Sequence, residues 1–165
     1  KAFEWYEKAA SQGFAKAQYN LGVMYDKGEG VEKDSKKAIE WYEKAASQGL
    51  AIAQFSLGLM YDKGEGVKKD IKKAFEWYEK AASQGLAEAQ YKLGLMYYVG
   101  EGVEKDSKKA FEWYEKAASQ GFADAQYILG IMYDVGEGVK KDIKKAKKLF
   151  KEACNGGHQD SCKLI

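Results

Sequence analysis

The sequence repeats itself every 36 residues, and that period decides most of what the chain can fold into. AFEWYEKAASQG begins at Ala2, returns with one change at Ala38, and recurs at Ala74 and Ala110, so tryptophans fall at Trp5, Trp41, Trp77 and Trp113. Four full units span residues 2–37, 38–73, 74–109 and 110–145, and a divergent partial unit runs over 146–165. Any two full units differ at six to eight of their 36 positions. VEKDSKK and VKKDIKK alternate, which superimposes a 72-residue period of the kind that duplication of a repeat pair, or deliberate design, would leave.

Each unit reads as two helices. At about 100° per residue, Ala2, Phe3, Trp5, Tyr6, Ala9 and Ala10 fall within an arc of about 160°, with Glu4, Glu7 and Lys8 on the remainder. Gly13 ends this first helix, because glycine readily takes the left-handed conformation of a C-cap. The second helix runs from about Phe14 to Lys27, with an apolar face of Phe14, Ala17, Leu21, Met24 and Tyr25, and Gly28 and Gly30 stop it. Gly22 sits mid-helix, where it costs up to about 1 kcal/mol relative to alanine. Every full unit keeps it (Gly58, Gly94, Gly130), which predicts a neighbouring helix in close approach. Asp34 is placed to N-cap the next helix by accepting from free backbone N–H groups.

One such hairpin cannot bury both faces of its helices, whereas stacked hairpins can. The expected fold is therefore an all-α, right-handed α/α superhelical solenoid forming a single repeat domain over residues 1–165, with 146–165 as a capping unit. Where the full units have WYEKAAS, the last has LFKEACN, and KKAKKLFKEA is more charged, as an outer face should be.

Composition excludes several classes. There is no Pro, Thr or Arg; all 27 basic residues are lysines, set against 25 acidic ones for a net charge of +2. A nucleic-acid binder would show a basic excess gathered on one face. Without arginine the chain has no bidentate fork for phosphate or carboxylate. No apolar run approaches the roughly 18 residues of a membrane span. The chain opens at Lys1 inside the periodic pattern, which reads as a trimmed or processed fragment.

The unit A-x-x-W-Y-x-K-A-A-x-x-G-x-A-x-A-Q-x-x-L-G-x-x-Y-x-x-G-x-G-V-x-K-D resembles the Sel1-like repeat, a relative of the tetratricopeptide repeat, over essentially the whole chain. One departure is that Glu32, Lys68, Glu104 and Lys140 stand where the family often places proline. The resemblance implies an adaptor or scaffold that binds protein or peptide, without catalysis or cofactor, often in bacterial signalling or host-facing roles. The seven residues between Cys154 and Cys162 also look like the spacing of the bridge found in the repeats of the Helicobacter cysteine-rich proteins, secreted members of the family. The resemblance thus implies a disulfide, and with it a periplasmic or secreted location; two free thiols would instead suit the cytoplasm. It also raises a penicillin-binding or weak β-lactamase activity as an alternative, although no Ser-x-x-Lys motif is present. A consensus-derived scaffold without a natural ligand is a further alternative.

Other chemistry reads weakly. Glu4 and Glu7, repeated through Glu112 and Glu115, could be paired carboxylates, but four identical copies argue against a unique active site, and Glu4 with Lys8 suits a helical i,i+4 ion pair. The GEG loops lack the Gly-Lys-Ser/Thr ending of a phosphate loop. Cys154, His158, Cys162 and Asp160 are zinc-ligand types, yet Asn155-Gly156-Gly157 should break the helix that would align them, so no metal is expected. A Cys–His nucleophilic pair lacks an orienting group. The Trp-Tyr pairs read as packing residues, with the tryptophans at the edge of the buried arc.

Comparison of the units with one another locates a candidate contact surface. The second helix varies at Lys16/Ile52/Glu88/Asp124, Asn20/Ser56/Lys92/Ile128, Val23/Leu59/Leu95/Ile131 and Lys27/Lys63/Val99/Val135. These positions fall within about 60° of one another, opposite the core face. The expected protein-binding residues are Ile52, Ser56, Leu59, Glu88, Lys92, Leu95, Val99, Asp124, Ile128, Ile131 and Val135. The Ile128–Val135 streak could also support self-association. The family offers the concave groove, lined by the first helices, as the other place for a ligand.

Overall fold

A computed structural model describes residues 2–165. The described residues are helical, with no strand among them: α1 (Ala2–Ser11), α2 (Ala15–Lys27), α3 (Ser35–Ser47), α4 (Ala51–Lys63), α5 (Ile71–Ser83), α6 (Ala87–Val99), α7 (Ser107–Ser119), α8 (Ala123–Val135), α9 (Ile143–Asn155) and a 3-10 helix (Gln159–Leu164). Odd-numbered helices are the first helix of each unit and even-numbered ones the second. No described helix is long and apolar enough to cross a membrane.

The ends of the helices follow local chemistry. Asp34 accepts from the Lys36 and Lys37 backbone N–H groups, Asp70 from Lys73, Asp106 from Lys108 and Lys109, and Asp142 from Lys145. At the other end, Gly28 is left-handed at φ 73° and its N–H returns to the Met24 carbonyl, a closure that Gly64, Gly100 and Gly136 repeat. Glycine is needed there because a Cβ disfavours positive φ.

The chain divides into two compact units, residues 1–84 and 85–165. In the first, α1 packs on α2, α2 on α3, α3 on α4 and α4 on α5. In the second, α6 packs on α7, α7 on α8, α8 on α9, and α9 on the 3-10 helix. Each helix is thus covered by its neighbours in sequence, as in a repeat array.

The mid-helix glycines admit an aromatic ring of the following first-type helix. A Cβ on Gly22 would stand 2.6 Å from the Tyr42 ring, and one on Gly58 would stand 2.5 Å from Tyr78. In the second unit the equivalent distances are 2.8 Å from Gly94 to Tyr114 and 2.6 Å from Gly130 to Phe150. The close approach expected at these glycines is therefore made by a side chain, and the absent Cβ is its seat.

A ladder of glutamines runs beside this packing. Gln18 is buried and donates to the Ala10 carbonyl at 3.2 Å, and its own carbonyl oxygen accepts from the Gln48 amide at 2.7 Å. Gln54 donates to Ala46 and accepts from Gln84 in the same way, at 3.2 and 2.7 Å. In the second unit Gln120 donates to Gln90 at 2.8 Å and Gln126 to the Ala118 carbonyl at 3.3 Å. The Ala10, Ala46 and Ala118 carbonyls also accept from the backbone N–H groups of Gly13, Gly49 and Gly121, so the glutamine amides add a second bond at each helix C-terminus, and Gln18 and Gln54 link it to the next repeat.

Three local expectations are corrected. Phe14, assigned to the core face, is exposed, whereas Phe122 at the same position packs on Tyr91 with ring centroids 5.3 Å apart. Met24 is half-buried while Met60, Met96 and Met132 are buried. After Asn155 the chain forms a 3-10 helix in place of a second α-helix.

Candidate functional site

The variable stripe runs along the even-numbered helices, and its residues differ in how far they are uncovered. In the first unit, α4 leaves Ile52, Ser56 and Leu59 all half-buried. In the second unit, α6 exposes Glu88 and Val99 and half-buries Lys92 and Leu95, while α8 exposes Asp124 and Val135 and half-buries Ile128 and Ile131. The middle of each helix is thus narrowed by its neighbours, and the expected apolar streak is continuous only in part. Its open apolar ends are Val99, 53% exposed, and Val135, 58% exposed, at the position where the first unit carries exposed Lys27 and Lys63.

Asp124 has a further role. Its carboxylate stands 4.0 Å from His158 Nε2, and His158 stacks on Tyr127 with centroids 4.2 Å apart. His158 Nδ1 accepts from the Ser161 N–H at 3.2 Å and lies 2.9 Å from its hydroxyl, which caps the 3-10 helix. Cys154 and Cys162 are joined in a disulfide, with Cα atoms 4.9 Å apart. With both sulfurs in the bridge, neither is available as a thiolate for a metal or a nucleophile, and His158 is engaged in holding the end of the chain.

The tryptophans of the inner units are half-buried and carry a lysine each. Lys44 lies 4.0 Å from the Trp41 ring centroid, Lys80 4.2 Å from Trp77, and Lys116 4.0 Å from Trp113. The lysine expected to pair with the glutamate four residues earlier turns onto the indole three residues earlier, where the ring face attracts it. The glutamates of the carboxylate pairs, Glu4, Glu7, Glu112 and Glu115, are all exposed.

One cluster escaped sequence reasoning. Glu137, in the loop after α8, accepts from the Tyr98 hydroxyl at 2.9 Å and the Ser107 hydroxyl at 2.9 Å, and lies 3.6 Å from Lys105. The hydrogen bonds from the Tyr98 and Ser107 hydroxyls, with a lesser part from Lys105, hold its carboxyl below the ordinary 4.5 against the opposing effect of burial. The hydrogen bond to Glu137 in turn raises the Tyr98 phenol. The available signal was internal variation: Tyr98 stands where the other units have Asp26, Asp62 and Asp134.

Comparison with known proteins agrees with this geometry. The family model described as "Sel1 repeat" matches residues 1–14, 15–50, 51–86, 87–122 and 123–158, a register in which every match after the first opens on an even-numbered helix. The crystal structure of c5321, a protective antigen of uropathogenic Escherichia coli with an SLR fold, superimposes with a TM-score of 0.93 at 40% identity, covering 96% of this chain and 34% of that one. Cysteine-rich protein B of Helicobacter pylori matches with a TM-score of 0.65 at 33% identity, covering 81% of this chain and 96% of that one. DAP3-binding cell death enhancer 1 of Rattus norvegicus is 46% identical over 37 residues, which is 22% of this chain and 7% of that protein. The chain thus spans about a third of the first structure and a small part of the rat protein.

Proposed function

The chain belongs to the Sel1 repeat family, and from that premise we propose that it is a non-catalytic scaffold that binds a protein or peptide through the variable stripe of its even-numbered helices. Sel1 repeat proteins generally mediate protein–protein interactions, and a relative is named for binding DAP3. The observation that carries the reading is the exposure of Val99 and Val135 in one compact unit, where a lysine occupies the same position in the other. Exposed apolar side chains beside charged ones form the usual composition of a contact patch. Glu88 and Asp124 put acidic groups at the opposite ends of the same two helices, which favours a partner with an apolar segment next to basic residues. The Cys154–Cys162 disulfide supports a periplasmic or secreted setting, where such bridges persist.

The test compares pull-downs from bacterial and host-cell extracts by the parent chain and by a Val99→Lys, Val135→Lys variant. The substitutions install the residues that the first unit already tolerates, so helicity and melting should not change. A partner captured by the parent and lost on substitution supports the stripe. A partner retained by the variant moves binding elsewhere, and an absence of any selective partner argues against the scaffold reading.

A further inference from the structure

α9 departs from the other first helices at positions that face solvent. In α7 the exposed side chains include Lys108, Lys109, Glu112, Glu115 and Lys116, three lysines against two glutamates. The same positions of α9 hold Lys144, Lys145, Lys148, Lys151 and Glu152, four lysines against one glutamate. Lys144, Lys148 and Lys151 fall within an arc of about 60° and form one row. Lys148 lies 3.7 Å from Glu152, and Lys144 and Lys151 make no ion pair among the described residues. The exposure belongs to these positions wherever they occur in the array: Lys36, Lys37, Glu40 and Glu43 are exposed on α3, although α2 and α4 both pack on that helix.

Beside the row is a cavity of about 340 Å³, walled by Ala118, Leu129, Tyr133 and Leu149, with Lys148 at its edge. Leu149 stands where α3, α5 and α7 carry Trp41, Trp77 and Trp113. Trp41 is half-buried between the same flanking helices, so packing before and after leaves this face open too. Tyr25, Tyr61 and Tyr97 are buried, whereas Tyr133, their counterpart in the cavity wall, is only half-buried. Ligand pockets run from roughly 300 to 1,000 Å³, so this one suits a single large side chain. Glu115 is exposed at the rim, where it would accept from an indole N–H and repel a carboxylate. Acidic groups of a ligand therefore belong on the lysine row, and its aromatic group in the cavity.

We propose that α9 and this cavity bind an acidic peptide segment of a partner protein, with one tryptophan seated against Leu149 and the neighbouring carboxylates on Lys144, Lys148 and Lys151. A flat anionic surface would use the lysines and leave the cavity empty; a peptide uses both. Lysines are flexible point charges without the fork of arginine, so the contact is weak and sensitive to salt. This site is distinct from the stripe that carries Val99 and Val135, its partner has the opposite charge, and its test changes none of the stripe residues.

The experiment is fluorescence anisotropy of a fluorescein-labelled peptide, a tryptophan with three glutamates on either side, titrated with the 165-residue chain. The parent should bind with a Kd of about 1 mM or tighter at low salt, and weaken as ionic strength rises from about 0.05 to about 0.5 M. Leu149→Trp fills the cavity with the residue of the full units. Lys148→Glu, Lys151→Glu and Glu152→Lys together give α9 the charges of α7. Both variants install residues that other units already hold, so helicity should not change, and each should weaken binding at least about tenfold. Alanine in place of the peptide's tryptophan should do the same. No binding by the parent, a variant that binds as the parent does, indifference to the peptide's tryptophan or indifference to salt would each overturn the proposal. Capture of the chain by phosphatidylglycerol vesicles, unchanged in Leu149→Trp and without binding of the peptide, would assign the row to a lipid surface and overturn it as well.

Discussion

Tyr78 lays the edge of its ring over Gly58, so close that a methyl group on Gly58 would stand 2.5 Å from two ring carbons. Gly58 is at the centre of α4 and Tyr78 at the centre of α5, so this contact sets how near the two helices lie. Tyr78 is fully buried. Gly58→Ala gains up to about 1 kcal/mol in helix propensity. Overpacking opposes it with roughly 1–3 kcal/mol or more. The net expectation is destabilisation, read as a lower urea midpoint. Pairing Gly58→Ala with Tyr78→Leu should recover part of the loss; equal losses in the single and double variants would show that the contact is not responsible.

The two buried tyrosines of this kind should respond oppositely to loss of the hydroxyl. Tyr78 donates to Asp62 at 3.2 Å, whereas the buried Tyr114 hydroxyl has no hydrogen-bond partner. The reason is that Tyr98 replaces the aspartate and turns to Glu137. Tyr114→Phe should therefore raise stability by about 1 kcal/mol and Tyr78→Phe lower it by about 1 kcal/mol. Denaturant unfolding of both variants at one pH decides it, and a loss in Tyr114→Phe matching that in Tyr78→Phe contradicts the assignment.

Acid should loosen the second unit through Glu137. Its carboxyl is held below the ordinary 4.5 by hydrogen bonds from Tyr98 and Ser107, with Lys105 beside it. A depressed folded-state value means that the group stabilises the fold fully above that ordinary value, and that the contribution fades as pH falls through the lower, folded one. Glu137→Gln should thus be less stable than the parent at about pH 6, and the gap should close toward about pH 3. A gap independent of pH would show that the charge on Glu137 contributes nothing.

Reduction should act at one end of the molecule. The Cys154–Cys162 bridge closes a short loop, with a sequence separation of 8. The chain-entropy treatment of such a loop gives roughly 2.5 kcal/mol. Dithiothreitol, or the paired substitutions Cys154→Ser and Cys162→Ser, should speed amide exchange in the 3-10 helix and late α9 while leaving α1 to α5 protected. Uniform loss of protection would mean that the bridge supports the whole array.

The sequence by itself determined what depends on near neighbours along the chain. The 36-residue period, the helix pairs, the Asp34, Asp70, Asp106 and Asp142 caps and the left-handed Gly28, Gly64, Gly100 and Gly136 were all legible, because each rests on bonds within about five residues. Even the need for space at Gly58 could be read, though not that a tyrosine ring fills it. Tertiary structure decided coverage. A helical wheel gives the direction of Gln54, yet only stacking places the Ala46 carbonyl and the Gln84 amide beside it and makes a buried glutamine favourable. The same wheel put Phe14 in the core and Ile128 and Ile131 on an open stripe, but a wheel has no neighbours. Phe14 is exposed, Ile128 and Ile131 are half covered, and Leu149 leaves a cavity, because burial depends on helices distant in sequence.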